Sequence, residues 1–133
     1  MINIVHLRAY KIINRIFAGI IITIILYSGI FSAQKSNHPI PSACTVIAGY
    51  SCKSTGLSRS FSEIVRFNFE SARKYNSNGI SVFLFFLIQL FMRLLSLLFI
   101  KMKFNIEKIV IIDISISILM FIYFFRNFLL FWQ

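Results

Sequence analysis

Ile80-Ser-Val-Phe-Leu-Phe-Phe-Leu-Ile-Gln89-Leu-Phe-Met-Arg93-Leu-Leu-Ser96-Leu-Leu-Phe-Ile100 is the stretch that decides the fold. It is long enough for the ~20 residues a helix needs to cross ~30 Å of hydrocarbon. Two similar apolar runs flank it, Ile12 to Phe31 and Ile109 to Trp132. In lipid the backbone must satisfy its own N–H and C=O groups, so runs of this length predict helices. The expected fold is an all-α membrane protein of one domain, with three transmembrane helices over about 12–31, 80–100 and 109–132.

Composition agrees with that reading. The chain has 133 residues, 58% of them hydrophobic, and only four acids, which excludes an ordinary soluble domain. The net charge of +10 does not form one dense basic block. The basic residues flank the spans or sit on one helix face, so anionic lipid headgroups rather than nucleic acid are the expected partner. The N-terminus has the basic residues and apolar core of a secretion signal, followed by Phe31-Ser32-Ala33. A cut after Ala33 would put bulky Phe31 where a small residue is needed, so an uncleaved first span is expected.

Between the first two runs the character changes twice. Residues 32–56 hold Ser, Asn, Gly and the pair Pro39 and Pro41, which prevents a regular helix and predicts a loop. From Leu57 to Tyr75 the period is helical, with Leu57, Phe61, Ile64, Val65, Asn68, Ala72 and Tyr75 on one stripe. Arg59, Glu63, Arg66, Glu70, Arg73 and Lys74 fall on the other face, with opposite charges three or four residues apart. This segment is too polar to span, so one amphipathic interfacial helix over 57–75 is expected, its apolar stripe inward. Ser58 is a candidate cap for that helix, and Ser60 with Glu63 has the spacing of a capping box. Asn76-Ser-Asn-Gly79 then stops the helix, because Asn and Gly tolerate a left-handed cap.

Inside the spans lies a polar constellation. Gln89, Arg93 and Ser96 share one face of the second run, and Asp113 and Ser117 are four apart in the third. If these two runs form an antiparallel hairpin turning near Lys103, residues whose numbers sum to 206 lie at similar depth. That matches Arg93 with Asp113 and Gln89 with Ser117. A charge inside a span costs ~2.5–3.5 kcal/mol at its centre and normally faces a partner, so an Arg93–Asp113 pair is expected. The alternative is that Arg93 snorkels past Lys101 to the headgroups.

Residues 40–76 carry fixed-looking spacings. Pro41-x-x-Cys44 is followed by Cys52-Lys-Ser-Thr55-Gly56-Leu-Ser58-Arg59, and then by Ala72-x-x-x-Asn76. This pattern resembles the Cys…Cys-Pro-x-Cys-Gly-x-Thr-Arg…Ala-x-x-x-Asn-Pro signature of a small family of bacterial membrane proteins, domain-of-unknown-function family 2752. The resemblance covers about a third of the chain and implies a bacterial inner-membrane protein; it implies no reaction. Thr55 stands where the family has a second cysteine, so a Cys-x-x-Cys redox pair is impossible here. Ser58 replaces the family's Thr, and Ser77 its final Pro.

The readings of these residues divide three ways. Gly56, Ser58, Arg59 and Asn76 form a candidate site for a lipid headgroup or a protein partner. There the guanidinium of Arg59 would sit at a helix entrance that already favours anions, or would merely pair with Glu63 on the surface. Cys44 and Cys52 read as a structural disulfide, two thiols, or a redox or metal-handling pair. A four-ligand zinc site would have only His6 and His38 to complete it, and no metal or other cofactor is expected. Gln89, Arg93, Asp113 and Ser117 read as a packing device or as the path of a transport component.

No phosphate loop, His-Glu-x-x-His or Gly-x-Ser-x-Gly is present, so the chain does not read as an enzyme. The expectation is an interaction or accessory protein whose partners are membrane lipids and another membrane protein or a second copy. For topology, Arg8, Lys11, Arg15, Lys101, Lys103 and Lys108 stand on one side. Lys35, Lys53, Arg59, Arg66, Arg73, Lys74 and Arg126 stand on the other. The first set is packed into shorter segments, which favours a cytoplasmic N-terminus.

Overall fold

The apolar runs become three long helices in the computed structural model, which describes residues 2–33, 53–102 and 105–129. Helix α1 is Ile2–Ile30 and α2 is Leu57–Val65. Helix α3 is Phe69–Tyr75, α4 is Gly79–Lys101 and α5 is Ile106–Leu129. No strand occurs among the described residues. Leu7–Ile30 of α1, Gly79–Lys101 and Ile106–Phe128 are each long and apolar enough to cross a membrane. Their outward faces are the exposed Ile, Leu and Phe side chains that such a helix turns to lipid, among them Ile16, Leu26, Phe91, Ile111 and Leu119.

Helix α4 is central. It packs against α1 on one side and α5 on the other, while α2 and α3 fold over the end of the bundle where α4 begins. The buried apolar core lies there, at Phe61, Ile64, Ala72, Val82 and Phe83. Phe61 meets Phe83 and Phe86 edge-on, at ring separations of 5.2 and 6.0 Å. A second aromatic group, Phe85 with Phe121 and Phe125, joins α4 to α5.

The interfacial segment departs from the single helix expected over 57–75. It is two helices, broken at Arg66-Phe67-Asn68. Phe67 adopts the left-handed region at φ 61, an unusual conformation for a residue with a side chain. Two side chains explain the break. Arg66 donates to the Ser62 carbonyl of α2 at 2.8 Å and reaches on to the carbonyl oxygens of Gly29 and Phe31, at 3.1 and 3.5 Å, and so caps the carboxyl end of α1. Asn68 accepts from Ser71 N–H and opens α3 as its N-cap. The apolar stripe therefore holds from Leu57 to Val65 and at Ala72, whereas Asn68 and Tyr75 are exposed.

The capping expectations also change. Gly56, not Ser58, caps α2, and it uses no side-chain hydrogen bond. Ser60 forms no capping box, because it lies inside the helix and is fully buried. Asn76 ends α3 in an extended conformation rather than a left-handed one. Gly79 opens α4 where a β-carbon would collide with the Ser60 hydroxyl, so close approach is what requires glycine there.

Candidate functional site

Two polar assemblies stand out, one inside the bundle and one at its α2–α3 end. The inner one is centred on Arg93. Its Nη1 donates to Asp113 Oδ2 at 2.5 Å and to Asn14 Oδ1 at 2.8 Å. Its Nη2 donates to Ser117 Oγ at 2.8 Å and Gln89 Oε1 at 3.1 Å. Tyr10 adds a 2.6 Å bond from its hydroxyl to the same Asp113 oxygen. Asp113 is 2% exposed and the Arg93 side chain 12%, so both charges are out of water and each is matched by the other. The face of Phe17 also lies 5.7 Å from the guanidinium.

Local sequence explains the meeting. Gln89 and Arg93 are one helical turn apart on α4, as are Asp113 and Ser117 on α5 and Tyr10 and Asn14 on α1. The α4–α5 hairpin brings Arg93, Asp113, Gln89 and Ser117 to a common depth, and Arg93 points inward rather than towards Lys101. Tyr10 and Asn14 were missed by sequence reasoning. Their signal was available, because Asn14 is a polar residue within an apolar run and lies on the same stripe as Ala18, Ile21 and Ser28.

Beside this network, residues of α1, α4 and α5 line a cleft of about 400 Å³. Phe17 and Ile21 of α1, Phe85 and Phe86 of α4, and Ile118 and Phe121 of α5 form its apolar walls. Gln89, Arg93 and Ser117 supply its polar side.

The second assembly joins the Gly56 turn to Asn76. Nδ2 of Asn76 donates to the carbonyl oxygens of Lys53 and Thr55 at 2.7 and 3.0 Å, and its Oδ1 accepts from Asn78 N–H at 2.9 Å. Gly56 has φ 79, and a β-carbon there would run into the Tyr75 carbonyl. Two of the sequence landmarks, Gly56 and Asn76, are thus parts of one clasp, and the amide of Asn76 is committed to its own backbone. Ser58 is half-buried, and its carbonyl accepts from Ser62 Oγ at 3.2 Å. Arg59 is half-buried too, yet it does not pair with Glu63: the Arg93–Asp113 bridge is the sole ion pair among the described residues. Lys53 donates to the Asn127 carbonyl at 3.1 Å, and Asn127 to Asn78 Oδ1 at 2.8 Å, so the clasp also holds the far end of α5.

Cys44 and Cys52 lie outside the described residues. Among those described, no cluster of His, Cys, Asp and Glu has the grouping of a metal site. In comparisons with known proteins, no family model, no curated protein and no solved structure matches this chain.

Proposed function

We propose that this chain is a small multi-pass protein of the bacterial inner membrane that works by interaction rather than catalysis, with its N-terminus in the cytoplasm. In this reading α2 and α3 are a platform at headgroup level that engages anionic lipid. One observation carries it. Phe67 is held in a left-handed conformation and is 82% exposed, so it bears strain of ~1–3 kcal/mol without packing against the rest of the protein. Immersion of the ring at the acyl boundary offsets that strain, since burying an aromatic side chain gains ~1.5–3 kcal/mol. Phe69 is exposed close by, and Arg73 and Lys74 are exposed on the following helix, an amphipathic arrangement suited to a negatively charged interface. Half-buried Arg59, with no acidic partner among the described residues, adds a cation at the entrance of α2.

The transport reading draws less support. Arg93 and Asp113 neutralise one another, and the cleft beyond them is walled by phenylalanines rather than by a chain of polar groups. The test of the lipid reading is native mass spectrometry of protein released from nanodiscs that mix phosphatidylglycerol and phosphatidylcholine. Phe67→Ser and the triple change Arg59→Gln/Arg73→Gln/Lys74→Gln should each reduce the retained phosphatidylglycerol. Equal retention by wild type and both variants would sink the proposal and leave a protein partner for this surface.

A further inference from the structure

The cleft between α1 and α5 has a polar side that its own protein does not complete. Gln89 is 7% exposed, and its amide orientation is set by its neighbours. Oε1 accepts from Arg93 Nη2 and, at 3.4 Å, from Ser117 Oγ, which leaves Nε2 as a buried donor with no acceptor. Arg93 Nε is likewise buried and unpartnered. Both residues line the cleft. Unmet buried donors are uncommon, and two of them on one side of an apolar cavity call for an acceptor from outside the chain.

Three features define that acceptor. The first is depth. Gln89 lies near the middle of the 23-residue α4, roughly 15 Å from either end, so a phospholipid phosphate would have to leave the headgroup layer to reach it. The second is charge. Arg93 is already neutralised by Asp113, and both of its terminal nitrogens are occupied, so no two-pronged grip remains for a carboxylate or phosphate. The third is shape. Phe17, Phe85, Phe86 and Phe121 offer ring faces and edges to a flat unsaturated group, and 400 Å³ lies within the range of small-molecule sites. A neutral, membrane-dissolved ring bearing carbonyl acceptors meets all three.

We propose that this cleft binds the head of an isoprenoid quinone, with one ring carbonyl accepting from Gln89 Nε2 and Arg93 Nε. The ligand enters sideways from the bilayer, because the cleft's wall residues Phe17, Ile20 and Ile118 are exposed on the lipid-facing surface of α1 and α5. The proposal concerns binding alone and stands apart from the lipid platform at α2–α3.

The test uses the full chain in nanodiscs, titrated with a one-isoprene ubiquinone and, separately, with menaquinone-1, and read by native mass spectrometry. Saturable binding of one quinone per chain is expected. Ile118→Trp fills the cleft from an exposed wall position and should weaken binding at least about tenfold while the protein stays folded. Gln89→Leu should also weaken binding, because it removes the Nε2 donor while keeping the bulk of the side chain. A tenfold excess of palmitate should not compete. Absence of saturable binding, equal binding by Ile118→Trp, or displacement by palmitate would overturn the assignment, the last in favour of a fatty-acyl occupant.

Discussion

Replacing Asp113 by Asn tests the intramembrane network most directly. The substitution keeps the size of the side chain and retains an oxygen for Arg93, but it removes the one countercharge. Asn14, Gln89 and Ser117 can still accept from the guanidinium, so its hydrogen bonds are partly kept. The uncompensated charge remains. Breaking a buried pair costs ~3–5 kcal/mol, and an isolated charge at mid-span costs ~2.5–3.5 kcal/mol on insertion scales. Taking the overlap, Asp113→Asn should cost about 3 kcal/mol, roughly a 150-fold change in the folding equilibrium. Arg93→Met should cost a similar amount, because it leaves the carboxylate alone. The double variant carries neither charge and should lie within about 1 kcal/mol of wild type, since removing a whole buried pair is often nearly neutral. The assay is unfolding in mixed micelles titrated with SDS, followed by circular dichroism. If the double variant loses as much as the two single variants added together, Arg93 and Asp113 are not coupled and the argument fails.

Four further outcomes are expected from the same assay. Gly56→Ala forces a side chain into a left-handed position against the Tyr75 carbonyl and should lower stability by ~1–3 kcal/mol. Asn76→Ala removes the two hydrogen bonds that hold the carbonyls of Lys53 and Thr55 and should cost ~1–3 kcal/mol, with early loss of amide protection at residues 53–57 in hydrogen exchange. Gly79→Ala should destabilise through collision with Ser60, and the pair Gly79→Ala/Ser60→Gly should be more stable than Gly79→Ala alone. Arg66→Met uncaps α1 and should cost ~1 kcal/mol, with faster exchange confined to the last turn of that helix.

The parts legible in sequence were those set by a single strong period or by an intolerable charge. Three spans followed from run length alone, and the Arg93–Asp113 register followed because a charge in lipid restricts the answer to a few partners. The α2–α3 break was hidden for the opposite reason. Residues 57–75 satisfy a helical period throughout, and what overrides it is tertiary. Arg66 finds the carboxyl end of α1, a target that sequence spacing does not reveal, and Asn68 reads equally well as a stripe residue or as a cap. The roles of Gly79 and Ser60 were obscured likewise, because close approach between two helices leaves no mark on either one taken separately.

Helices in lipid gain no hydrophobic drive from meeting one another, so packing and polar ties decide how they associate. Here the ties fall at two levels. Tyr10, Asn14, Arg93 and Asp113 bind the three spans within the bundle, while Arg66, Lys53 and the Asn76 clasp bind them at the α2–α3 end. Between those points α1 and α5 have α4 as their common neighbour, and the cleft is the space that results. Its existence therefore depends on Asp113, but its occupancy does not: Ile118 forms a wall without joining any tie. The two sets of variants separate on that basis. Asp113→Asn should lose stability and, through it, the cleft, whereas Ile118→Trp should lose the ligand and keep the stability. If Ile118→Trp unfolds the bundle as readily as Asp113→Asn does, the cleft wall is itself a tie, and the division between holding the helices and receiving a ligand is wrong.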